Sequence, residues 1–201
     1  MLHAFPEKSQ WDLLVEHELG EWFSCQWVDT EDVDEIARRL RVDPDSGTPC
    51  DFETAMRSYE TDPNTLIVWV GEHSPGWSTV LTLSGVTVPP KAMEALSAGR
   101  RRVLEAFFVE VADPGKLLYT RDGEYIGEVF PPSSRGGWTE VPEFEAYTSG
   151  LELHGAMSDA EVFDRCLCMM GRITGRFVDR EWFTSIRTLY RIPEGTWEES
   201  R

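Results

Sequence analysis

The chain has 201 residues, 41% of them hydrophobic, with eight Trp and ten Phe, enough apolar material for a sizeable core. Its 36 Asp and Glu against 19 Lys and Arg give a formal charge of −17, which argues against nucleic-acid phosphates and anionic lipid as partners. No apolar run approaches the roughly 18–20 residues of a membrane span, and an acidic start with Glu7, Asp12 and Glu16 does not read as a signal peptide.

In chain order, Ser9 is placed to cap a helix over 10–19, which Gly20 ends. Thr30 or Asp29 caps a second helix over 31–41, with Val33, Ile36, Ala37 and Leu40 at helical spacing. Acids lead that helix and Arg38, Arg39 and Arg41 end it, which suits the helix dipole. A turn over 43–48 and a short helix over 51–59 follow.

Strands are predicted at 66–70, 77–83, 103–111, 117–121 and 124–130, all rich in Val, Ile, Leu and aromatic residues and cut by Gly and Pro. Asp122-Gly123 readily takes the positive φ angles of a type I′ hairpin turn between the last two. A short helix at 91–97 interrupts the run. After the Pro- and Gly-rich stretch 131–137, helices are predicted at 142–147, 159–177 and 180–189. The second of these has a capping box, Ser158 with Glu161, and an apolar stripe through Phe163, Cys166, Leu167 and Met170.

These elements predict one α+β domain over 1–201: 1–63 mainly helical, 64–130 a strand meander, 131–201 a loop and C-terminal helices. The expected sheet is an antiparallel meander of about four to six strands with helices packed on one face.

Chemical signals are sparse. None of His3, His17, His73 and His154 belongs to a His-Glu-x-x-His pair. Cys166 and Cys168, two apart on a helix, point in different directions and suit neither a disulfide nor a metal. With Cys25 and Cys50 they read as buried thiols of a reducing cytoplasm, and neither metal nor cofactor is expected.

Two stretches stand out as binding candidates. In the loop 133–138, Gly136 and Gly137 let backbone approach a ligand, Arg135 offers a planar fork to an anion, and Trp138 offers a flat apolar face. The second candidate combines Glu16, Glu18, Glu21, Glu31, Asp32, Asp34 and Glu35 with Trp22 and Trp27. Those two tryptophans are read either as core or as part of a partner-docking patch.

Gly76-Trp77, Asp122-Gly123, Phe130–Pro132, Arg135–Gly137 and Ile173–Gly175 follow one another in an order that resembles an uncharacterised family of actinobacterial proteins. The likeness runs from about Thr30 to Pro193. It implies a single α+β unit of unknown function and no catalytic residues. From the residues themselves, the expected function is an acidic cytoplasmic module that binds a protein with a basic surface, an inhibitor or immunity-type protein being the concrete form. The alternative is a small-molecule-binding protein or enzyme that uses the loop 133–138.

Overall fold

The computed structural model describes residues 2–58, 65–84, 87–110, 113–130, 141–151 and 157–197. The fold is α+β. Among the described residues, eight strands form one open antiparallel sheet. They are β1 (Trp22–Val28), β2 (Thr48–Cys50), β3 (Leu66–Ser74), β4 (Trp77–Thr82), β5 (Arg102–Val109), β6 (Asp113–Arg121), β7 (Glu124–Phe130) and β8 (Arg187–Ile192).

Their order across the sheet is β2-β8-β3-β4-β1-β5-β6-β7. The meander of four to six strands expected from the sequence is therefore too small and too simple. Only β3–β4 and β5–β6–β7 keep sequential neighbours. The N-terminal β1 inserts beside β4, with Cys25 opposite Leu81, and the C-terminal β8 inserts beside β3, with Leu189 opposite Trp69.

The helices are α1 (Gln10–Glu16), α2 (Val33–Arg39), α3 (Phe52–Arg57), α4 (Pro90–Ser97), α5 (Asp159–Thr174) and α6 (Arg180–Thr184). Short 3-10 turns cover Pro44–Ser46 and Pro142–Thr148. Local chemistry accounts for most ends. Ser9 caps α1 and Asp32 caps α2. Both halves of the Ser158–Glu161 capping box form on α5, which stops at Gly175 with φ of 87°. The helix expected over 180–189 is shorter. It ends at Thr184, and Arg187–Ile192 is drawn into the sheet by pairing with both β3 and β2.

The chain divides into two compact units. The first comprises Met1–Ser24, Leu104–Tyr119 and Ile126–Arg180; the second comprises Cys25–Val103, Thr120–Tyr125 and Glu181–Arg201. The first is built on α5, whose Phe163 meets Trp11, Phe23 and Phe108 with ring centroids 5.2–6.0 Å apart.

In the second unit α2 and α4 set Ile36, Leu40, Ala92 and Leu96 against Val68, Val70 and Val80. Each such buried side chain is worth about 1.5–3 kcal/mol. Strand alternation turns Trp69 to the opposite face, where it meets Phe52 of α3 and Trp182 of α6. Helices thus cover both faces of these strands, where packing on one face was expected.

The Asp122-Gly123 turn is as expected, with φ of 52° and 84°. It also ties down the end of α4: the Asp122 carboxylate accepts from the Gly99 and Arg100 amides at 3.0 and 2.8 Å. A Cβ at Gly123 would meet only the Glu94 carbonyl oxygen at 3.9 Å, so any penalty there comes from backbone conformation rather than a clash. Gly123→Val is expected to cost roughly 1–2 kcal/mol, read as a lowered Tm, because β-branched residues tolerate positive φ poorly.

All four cysteines are buried and form no disulfide, and burial pushes the Cys50, Cys166 and Cys168 thiols above their usual value. A disulfide-exchange dye should leave them unlabelled in the folded protein and label all of them in denaturant. Rapid labelling of Cys166 in the native state would contradict this packing.

Candidate functional site

The loop residues Arg135, Gly136, Gly137 and Trp138 lie outside the described residues. The acidic candidates divide between the units. In the first unit Glu16 ends α1 and pairs with Arg180 at 3.5 Å, Glu18 sits at φ of 63°, Glu21 is exposed and Trp22 is half-buried.

In the second unit Trp27 is fully buried, edge-on to His73 at 5.9 Å. Glu31 accepts from the Gly76 amide at 2.6 Å, and Asp32 is the cap of α2. Trp27 belongs to the core, and Asp32 is engaged in a local structural role.

Glu35 is the most heavily partnered of these acids. Arg39 Nε donates to its Oε1 at 2.9 Å and Arg101 Nε donates to the same oxygen at 3.1 Å, while Arg101 Nη2 reaches Oε2. The two guanidiniums continue outward. Arg39 Nη1 donates to the Ala95 and Ala98 carbonyls at 2.7 and 2.8 Å, and Arg101 Nη1 donates to the Asp29 carbonyl at 3.0 Å. Asp29 in turn accepts from the backbone and side chain of Arg102 at 2.8 and 2.9 Å. One carboxylate thus joins α2 to the end of α4 and the start of β5, and its oxygens are occupied.

Arg187 is 4% exposed. Its guanidinium lies 4.7 Å from the Trp69 ring and 4.5 Å from the Trp182 ring, and Nη1 donates to Thr79 Oγ1. Gly71 makes room for it, since a Cβ there would stand 2.5 Å from Arg187 Cγ. A cation between two indoles is a core element of this unit, and sequence reading, which put Arg187 on a helix, missed it.

No cluster of three or more metal-ligating side chains occurs among the described residues. The buried thiols are shifted away from the thiolate form that nucleophilic chemistry needs.

Asp34 of α2 and Asp45 of the Pro44–Ser46 turn both act on the Tyr190 phenol, which burial and then these two charges push above its ordinary value. The Asp34 ion pair with Arg38 is long, 3.9 Å, and lies in solvent. In the same unit Arg41 binds the Thr196 carbonyl and the Trp197 ring, and Arg57 pairs with Glu53. Sequence analysis named Asp34 but not Asp45 or Tyr190, which lies 145 positions beyond Asp45.

The Glu35 network makes a pH-dependent prediction. Burial raises the Glu35 carboxyl, but hydrogen bonds and charge from Arg101 and Arg39 outweigh it and hold the group below its usual value. Its stabilisation is therefore fully present above the unfolded carboxyl value, near 4.3, and is lost as pH falls through the lower folded value. Glu35→Gln should lower Tm at neutral pH by about 1–3 kcal/mol equivalent. It should also flatten the fall in Tm below about pH 5 relative to wild type.

The chain matches no family model, no curated protein and no solved structure. The likeness to the actinobacterial family rests on the sequence motifs alone.

Proposed function

We infer that this chain is an acidic binding module that docks a protein with a basic surface. An inhibitor or immunity-type protein is the concrete form, and membership of the uncharacterised actinobacterial family is part of the same reading. The observation that carries it is the charge itself, 36 Asp and Glu against 19 Lys and Arg. In the second unit Asp34 and Asp45, whose charges both act on the buried Tyr190 phenol, are the carboxylates assigned to receive a lysine or arginine from outside. A cationic side chain bonded to carboxylates forms the stronger, charge-assisted kind of hydrogen bond. The module is read as cytoplasmic, a reading supported by its four reduced thiols.

The net charge of −17 supports the same reading by steering. Exposed charges act over a Debye length of about 8 Å at physiological ionic strength, so association should be fast at low salt and slow at high salt. A lysine- and arginine-rich peptide followed by fluorescence anisotropy measures this directly. Asp34→Asn with Asp45→Asn should cut the low-salt association rate on the order of tenfold, with a smaller change in the dissociation rate. The control pair Glu94→Gln with Glu124→Gln removes the same charge from exposed positions elsewhere in this unit. Equal losses in the two variants would reduce the effect to bulk charge and remove the assignment.

A further inference from the structure

In the first unit the N-terminal segment and the strap that follows α5 enclose a cleft of about 560 Å³. Its floor is apolar: Pro6, Leu13, Phe177 and Val178, of which Leu13 and Val178 are buried. Pockets that hold small molecules typically run from about 300 to 1,000 Å³ with apolar walls and a few placed polar groups, and this one falls in that range.

The walls are fixed in advance. The Val178 amide donates to the side-chain oxygen of the fully buried Gln10 at 2.8 Å. The Asp164 carboxylate accepts from Ser9 Oγ at 3.1 Å and from the Trp11 amide at 2.9 Å, which holds the opposite wall onto α5. Neither wall has to be built when a ligand arrives, so little ordering entropy opposes binding.

Two cations face this floor with charge to spare. Lys8 is exposed and has no ion pair or hydrogen bond among the described residues. Arg180 has only a 3.5 Å pair with Glu16, in which both side chains are more than half exposed, an arrangement of little energetic weight. Arg176 also lines the cleft, but Asp179 accepts from its Nε at 3.3 Å and its Nη2 at 3.0 Å, so its charge is matched within the strap. Glu7 and Asp179 also line the cleft, so its polar lining carries three cations and two carboxylates. In a chain of net charge −17, an apolar cleft with two loosely held cations is a local exception.

The geometry points to a binding site for a small carboxylate with an apolar body, its head held by Lys8 and Arg180 and its tail on Leu13, Phe177 and Val178. The apolar floor supplies affinity in proportion to the area covered, and the two cations select the sign and end of the ligand. This site lies in the first unit and is independent of the carboxylates assigned to a protein partner.

Octanoate, octanamide and octylamine share one tail and differ in head charge, so calorimetric titration of the full chain with the three separates floor from head. Octanoate should bind saturably, octanamide about tenfold more weakly and octylamine more weakly still. Lys8→Glu with Arg180→Glu should weaken octanoate at least about tenfold and leave octanamide unchanged. The milder pair Lys8→Gln with Arg180→Gln should give an intermediate loss, and circular dichroism checks that each variant is folded. Absence of saturable octanoate binding, equal affinity for the three heads, or octanoate binding indifferent to both variant pairs overturns the proposal. Inorganic phosphate that competes as well as octanoate would remove the apolar half of it.

Discussion

A single buried guanidinium sets the conditions for the first unit. Arg172 is 2% exposed, yet it cannot lose its proton. Its Nε donates to the Ala4 carbonyl at 2.8 Å, and Nη1 donates to the carbonyls of Tyr147 and Ser149 at 2.8 and 2.7 Å. The Phe5 ring covers it at 4.6 Å. Burying this charge is tolerable only while those carbonyls stay in place, so the side chain fixes the chain N-terminal to α1 and the 3-10 turn against α5. Part of the cleft is tied to that constraint: Pro6 and Lys8 lie two and four residues beyond Ala4, and Phe177 and Arg180 follow the end of the same helix.

The second unit meets the same requirement by other means. Arg187 lies between two indole faces and donates from Nη1 to a threonine hydroxyl, while Arg39 and Arg101 share one carboxylate and a set of carbonyls. Only three of the chain's 19 basic residues are lysine. That bias is intelligible, because a planar guanidinium can bridge several acceptors or lie flat on a ring, whereas an ammonium keeps its hydration. Arg39, Arg101, Arg172 and Arg187 are thus spent inside the fold.

Legibility in the sequence followed the range of the interactions. The Ser158–Glu161 box and the Asp122-Gly123 turn are decided within a few residues, and both could be read directly. The cap of α2 was missed by two or three positions, Asp32 in place of Asp29 or Thr30, because several adjacent residues can each serve. Strand β1 was not legible. Its Ser24 and Gln26 are as buried as Phe23 and Trp27, so the polar alternation marks no solvent face, and its partner Leu81 is 56 residues from Cys25. Residues 187–192 have a helical start before them and strand partners far away, and the distant pairing prevails. Among site residues, Asp34 was visible as one acid in a run. Lys8 and Arg180 were not, since 172 positions separate two ordinary surface cations that only the fold brings to one cleft.

The two surfaces impose opposite demands on one molecule. A charge of −17 repels the anion that the cleft is suited to hold, and that repulsion acts over roughly the Debye length of about 8 Å. Beyond that distance the repulsion fades, and within it the nearest charges dominate. Lys8 and Arg180 need therefore reverse the field only at the mouth, not across the surface. The cost of the acidic surface falls on the approach of the ligand and is reduced by salt; salt also screens the hold of Lys8 and Arg180 on the head, whereas the part of retention that comes from the apolar floor is not screened. A basic protein experiences the reverse order: salt weakens its approach, and no floor retains it. Raising ionic strength should thus separate the two proposed sites within the same preparation, weakening the binding proposed at Asp34 and Asp45 steeply while the cleft's affinity for octanoate falls only toward that for octanamide.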